Sequence, residues 1–434
     1  MNVPSEPERR VVITGLGVFS PIGIGKEAFW DNLIHGRSGI DLFSQFSSHS
    51  LPVHVAGEVK DFDPQKHIPQ RKSLKLMCRD IQLGVAAALM AVRDAAIEPG
   101  AVDPTRLGVE YGASLMFTNP EEMGLPVAAC LDETGRFHFE QWAQDGMREM
   151  FPLWLLKYLP NMPACHVAIF CDAQGPNNTI TEREASGNLA VGEAYRVIAR
   201  GGADIMISAA TGSRVHPVGT VQACMIEELS SRNGDPTTAS RPFDRDRDGM
   251  VVGEGAGCLV LEEREHALRR GARIYAEIVG VGSACCARTD GTFAWDKALA
   301  LAMRNAMNHA HATPDDVGHI NAHGVSTRLG DEQEARAILE TFGPRGETVP
   351  VLAMKSYFGN LGAGTGAVEL AGSVLALEHG VLPYTLNYEV KDPNCPLNVV
   401  SGRPQPIRQS SFLNTNVTRV GQASCLMVVR HESS

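Results

Sequence analysis

The sequence contains no stretch of about eighteen consecutive apolar residues, the least that carries a helix across a bilayer, so no membrane span is expected. Its first ten residues are polar and lack the charged, apolar and small-residue zones of a secretion signal, which makes the cytoplasm the expected location. Excess positive charge is missing as well. Lys and Arg number 39 against 50 Asp and Glu, a net charge of −11, and this gives no support for nucleic-acid binding. Ten cysteines are present, yet none forms a Cys-x-x-Cys pair, and adjacent Cys285 and Cys286 lack metal-ligand spacing. Most lie in apolar runs and read as reduced core residues; neither a metal nor another cofactor is expected. Linkers and low-complexity segments are absent too.

What is present is ordinary globular material. Hydrophobic residues make up 44% and charged residues 21%, so a large buried core is expected. The 434 residues suit one large two-lobed domain or two to three smaller ones. Apolar runs at 11–18, 107–113, 203–209, 255–262, 273–280, 319–322 and 425–430 read as strands. Helical spacing marks 26–35, 80–96, 187–200, 296–309, 331–341 and 364–379. Strands alternating with helices predict an α/β architecture with covered sheets. Residues 119–151 are polar and acidic and read as an inserted surface excursion. The two halves share a rhythm without a clear residue repeat.

Gly15-Leu-Gly17 after a strand invites a dinucleotide-binding reading, but the third glycine and the acidic residue about twenty positions later are missing. A wider combination is more specific. Val11-Val-Ile-Thr-Gly-Leu-Gly-Val-Phe-Ser-Pro is followed by Trp30, Leu33 and Gly36-Arg-Ser-Gly-Ile40. Leu159-Pro-Asn-Met-Pro-Ala then precedes Gly175-Pro-Asn177, and Ser240 to Gly257 includes Arg-Pro-Phe-Asp-Arg-Asp-Arg-Asp-Gly. Asn321-Ala-His-Gly-Val-Ser-Thr-Arg-Leu-Gly-Asp331 and Lys355-Ser, with Gly359-Asn-Leu-Gly-Ala-Gly-Thr-Gly-Ala-Val-Glu369, complete the set. In this order the motifs resemble the β-ketoacyl-acyl carrier protein synthases. The resemblance implies a thiolase-like fold of two duplicated α/β halves, here 11–265 and 266–430. It also implies a homodimer or a heterodimer with an active ketoacyl synthase, and acyl carrier protein as a partner.

In that family a cysteine at the start of a buried helix takes the acyl group, and two histidines with a nearby lysine drive decarboxylation of malonyl thioester. Counted from Gly175-Pro, the nucleophile position here holds Glu184. His323, Lys355 and Glu369 match the family, whereas the second histidine is Asn360. Ser186, two positions from Glu184, is a weak substitute nucleophile. The C-terminal glycine-rich loop is reduced to Arg419-Val-Gly-Gln-Ala-Ser424; Gly421 alone remains of its glycines, and Val420 replaces a gating phenylalanine. Arg71, Lys72, Lys75 and Arg79 stand where the family has basic residues near the carrier entrance, with a solvated helix start as the alternative. The charge-dense run 241–248 reads as an ion-paired structural turn.

Acyl transfer to a carboxylate would give a hydrolysis-prone mixed anhydride, so ordinary condensation is disfavoured. Three readings stay open: a cysteine-less subunit similar to chain-length factors; a malonyl-thioester decarboxylase, since His323 with Asn360 resembles the His/Asn pair of related synthases; or a reused acyl-transfer site with Glu184 as general base.

Overall fold

The computed structural model describes residues 9–290 and 292–431. Most of the polar first ten residues, and the three residues after His431, lie outside the described residues.

Ten strands carry the architecture: β1 Val11–Ser20, β2 Leu107–Gly112, β3 Asn177–Ile180, β4 Ile205–Ser213, β5 Val252–Glu263, β6 Ala276–Cys285, β7 His319–Asn321, β8 Pro350–Leu352, β9 Ser411–Val417 and β10 Gln422–Arg430. In the first half they lie side by side as β1-β5-β4-β2-β3, with the first two pairings antiparallel and the next two parallel. The second half repeats this as β6-β10-β9-β7-β8 with the same strand directions. The duplication absent from the residues is therefore written in the topology. The halves join where β1 meets β6, Val11 opposite Ile278.

Every residue of β1 and β5 is buried, which is why both read as continuous apolar runs rather than alternating ones. Helices occupy matching places in the two halves. Helix α1 Arg79–Asp94 follows β1 and α3 Trp295–His309 follows β6; α2 Ser186–Ala199 precedes β4 and α5 Thr365–His379 precedes β9. Helix α4 Arg328–Phe342 bridges β7 and β8 as Met162–Cys171 bridges β2 and β3. Helices α2 and α5 pack on each other and on strands of both halves, so they form the central layer. In α5 residues 365–377 are all buried. Small residues make this possible: a Cβ on Gly187 would stand 2.9 Å from the Ala367 nitrogen.

Most expected elements form within three residues of their expected ends. Strands β3, β8 and β9 and the helices Met162–Cys171 and Pro217–Ile226 were not expected. The excursion at 119–151 is exposed, with Leu125 69% and Phe139 75% accessible, yet it contains the helix Pro120–Ala128. The run 241–248 is an ion-paired turn. Arg241 bonds Asp244 at 3.0 Å, and buried Arg247 bonds Asp392 at 2.6 Å.

Candidate active site

The duplication brings two helix N-termini together, and the residues just before them make the site. A single turn, Arg183–Ala185, leads into α2. Arg183 has φ of 45°, a left-handed conformation that costs a non-glycine residue about 1–2 kcal/mol. That turn keeps Arg183 exposed while Glu184 is buried. Glu184 Oε1 accepts hydrogen bonds from Arg214 Nη1 at 2.9 Å and Asn360 Nδ2 at 3.2 Å. The other end of the Arg214 guanidinium donates to Glu227 at 3.0 Å. Asn360, just ahead of α5, accepts through Oδ1 from the Gly362 N–H at 3.0 Å, and its own N–H bonds the Val251 carbonyl. Glu184 is thus a fixed carboxylate, placed favourably at a helix start and paired with Arg214, whose single charge it shares with Glu227. Both hydrogen bonds fall on Oε1, which is thereby held between Arg214 and Asn360.

Behind it lies a second buried group. Lys355 Nζ donates to Glu369 Oε1 at 2.7 Å and to the His323 carbonyl oxygen. Glu369 also accepts from Asn416 Nδ2 at 2.8 Å. Burial pushes the Glu369 carboxyl up, and Lys355 and Asn416 oppose that. The His323 and Gly324 N–H groups each reach Glu334 at 2.7 Å. The His323 ring is held well below the usual imidazole range, first by burial and then by Lys355 and Arg214, so it is neutral. Its Nδ1 has no hydrogen-bond partner among the described residues. The backbone and side-chain bonds of this group are those a structural core requires.

A cavity of about 300 Å3 opens on Glu184, walled also by Asp80, Arg183, Arg214 and Gln222. Neither a cysteine nor His323 is among its lining residues. Asp80 accepts from the Ser213 N–H at 2.7 Å, and its carboxyl is pushed up to about 7, by burial foremost, with Glu254 repelling and Arg79 opposing. Beyond Asp80 a second cavity of about 780 Å3 shares Asp80, Phe117 and Ser213 with the first.

Several sequence expectations change here. Ser186 is fully buried. Its Oγ donates to the Ala113 carbonyl at 3.0 Å and accepts from the Glu182 N–H at 2.7 Å, so it ties the turn together and does not line the Glu184 cavity. Arg79 donates to Glu254 through Nε and Nη2, so it is engaged in an ion pair with a buried carboxylate. Arg71, Lys72 and Lys75 are exposed on the short helix Arg71–Leu76, with no ion pair among the described residues. Gly421, at φ 80°, and Val420, 44% exposed, form the β9–β10 hairpin and do not line the Glu184 cavity. Sequence reading missed Arg214, Glu227 and Asp80. No local spacing marks them; only the rule that a buried carboxylate needs a cation pointed to a residue like Arg214.

The duplicated halves, the central helix pair and a site at their N-termini define a thiolase-like ketosynthase fold. The β-ketoacyl synthase N-terminal domain matches residues 8–267 and the C-terminal domain residues 275–389. The chain is 34% identical over 427 residues to 3-oxoacyl-[acyl-carrier-protein] synthase 2 of Coxiella burnetii, covering 98% of this chain and 99% of that protein. It is 36% identical over 427 residues to the tetracenomycin polyketide synthase ketoacyl synthase alpha subunit of Streptomyces glaucescens, covering 98% and 97%. The solved ishigamide ketosynthase/chain length factor superposes with a TM-score of 0.86 at 30% identity, covering 98% of this chain and 100% of the other. This protein belongs to the β-ketoacyl synthase family.

Proposed function

We propose that this member of the family does not condense acyl chains and serves as a chain-length-factor-type subunit in fatty-acid or polyketide synthesis, paired with a cysteine-bearing ketosynthase. The observation that carries this reading is Glu184. The position where the family's motifs place the thiolate holds a carboxylate locked by Arg214 and Asn360. Arg71, Lys72 and Lys75, exposed and without an ion pair among the described residues, offer a basic surface for an acidic carrier protein. Strand β3 leaves one edge open at the end of the sheet, and Ile169 on the helix beside it is 67% exposed; both suit burial against a partner subunit. The test is direct: the protein alone, given acyl and malonyl carriers, is expected to form no β-ketoacyl product, and to co-purify with a cysteine-bearing ketosynthase when the two are co-expressed. Elongation by the isolated protein would overturn the proposal.

One observation favours malonyl-thioester decarboxylation as a second reading: His323 is neutral and its Nδ1 is unpaired. Acetyl carrier formed from malonyl carrier, and lost on His323→Ala, would select it. Against it, the Asn360 amide is committed to Glu184 rather than free for an enolate oxygen.

A further inference from the structure

His323 is missing from the wall of the Glu184 cavity, and its ring lies instead against Trp295. The ring centres are 5.7 Å apart and the planes cross at 81°, an edge-to-face contact. His323 is 2% exposed, whereas Trp295 is only half-buried. The indole is therefore a boundary between the imidazole and solvent. The backbone of His323 cannot carry its ring outward, because Glu334 holds its N–H and Lys355 holds its carbonyl. Whatever reaches the imidazole from this side must displace the indole.

Trp295 is lightly held. It is the first residue of α3 and follows Ala294, which offers the helix no side-chain cap. Gln333 Oε1 accepts its backbone N–H at 2.9 Å and fixes the main chain there. The indole Nε1, by contrast, reaches only the Arg419 carbonyl in the β9–β10 hairpin, at 3.4 Å, longer than an effective N–H···O bond. Its seat over α4 exists because residue 330 is glycine: a Cβ there would stand 2.7 Å from Trp295 Cζ3. The closed arrangement also leaves His323 Nδ1 buried without a partner among the described residues, which is unfavourable for a polar nitrogen. A hydrogen-bonding group that entered past the indole would satisfy it.

We infer that Trp295 is a shutter over His323: it closes a second way to the imidazole, separate from the Glu184 cavity, and rotation of the indole opens it. While the shutter is closed the imidazole is withheld from solutes. The histidine is then a latent group, neither at work in the Glu184 cavity nor a mere packing residue.

The test is modification of the full-length protein by diethyl pyrocarbonate at neutral pH, read histidine by histidine by peptide mass spectrometry. Exposed His49 sets the fast reference, and fully buried His319 sets the slow one. With an open form populated to at most about 10%, His323 in the parent should react at least about tenfold more slowly than His49. Trp295→Ala removes the closed form, so His323 should speed up at least about tenfold while His319 stays slow, which separates an opened shutter from a loosened fold. Gly330→Ala keeps Trp295 and pushes its ring from the seat, so it should speed His323 in the same direction by a smaller factor. His323 as reactive as His49 in the parent, or as slow as His319 in Trp295→Ala, overturns the inference. If His319 rises together with His323 in Trp295→Ala, Gly330→Ala decides: a selective rise at His323 upholds the shutter, and a rate equal to the parent's overturns it.

Discussion

Arg214 holds two carboxylates, so removing it should cost far more than removing either partner. Side-chain exposure is 16% for Arg214, 8% for Glu184 and 13% for Glu227, so the triad is largely shielded from water. Arg214→Met would keep most of the side-chain volume and strand both carboxylates. Breaking a buried ion pair from one side costs about 3–5 kcal/mol, because the remaining charge stays desolvated and unpaired. Unfolding entropy of about 2 cal/mol/K per residue amounts to roughly 0.9 kcal/mol/K for this chain, so the midpoint should fall by about 3–6 °C. Glu184→Gln should cost only about 1 kcal/mol, since Arg214 keeps Glu227 and a glutamine can still accept from Asn360. The double variant should recover about 1–3 kcal/mol relative to the sum of the singles, the coupling expected of residues in contact. Urea unfolding of the four proteins at neutral pH measures all three values. The loss in Arg214→Met should also shrink on acidification, as the stranded carboxylates take up protons. If Arg214→Met lies within about 0.5 kcal/mol of the parent, Glu184 is solvated by another route and the locked-carboxylate account fails.

Two further outcomes follow from the same geometry. Asp80 takes up its proton near pH 7 in the folded protein, against 3.8 for the ordinary carboxyl. Between these values the folded state holds the extra proton, so this group's contribution to stability is present below about pH 4 and is lost as pH rises through 7. Asp80→Asn should therefore gain on the parent by up to about 2 kcal/mol between pH 4 and 8, with water in the cavity moderating the effect; urea midpoints across that range that run parallel would rule it out. Gly187→Ala should destabilise by about 1–3 kcal/mol, since the new methyl must push on the α5 backbone at Ala367. A thermal midpoint unchanged in that variant would mean that α2 and α5 can separate freely.

Much of the fold was legible because its strands are buried on both faces. Apolar runs such as Val11–Ser20 announce themselves in sequence, and α5 is rich in small residues because it sits between the two halves. Strand β9, Ser411–Val417, escaped notice for the opposite reason. It is fully buried but reads Ser-Phe-Leu-Asn-Thr-Asn-Val, its polar residues satisfied by long-range bonds such as Asn414 Nδ2 to Asn188 Oδ1 at 2.8 Å and Asn416 to Glu369. No local pattern reveals a polar strand whose partners lie far along the chain. The duplication was hidden in the same way: each half keeps the order of strands without keeping the residues.

The site divides along the same line. Glu184, His323, Asn360, Lys355 and Glu369 were found because each sits in a contiguous motif. What decides their chemistry was not found, because it arrives from elsewhere: Arg214 from the end of β4 and Asp80 from the start of α1. Replacing a thiol by a carboxylate in a dry pocket is costly unless a cation accompanies it. Arg214 meets that requirement, and Glu227 orients it. Asn360 then fits as the third member, since its amide can donate to Glu184 whereas its oxygen caps the turn before α5. Glu184, Arg214 and Asn360 therefore form one hydrogen-bonded cluster at the head of the cavity, assembled from three separate stretches of the chain.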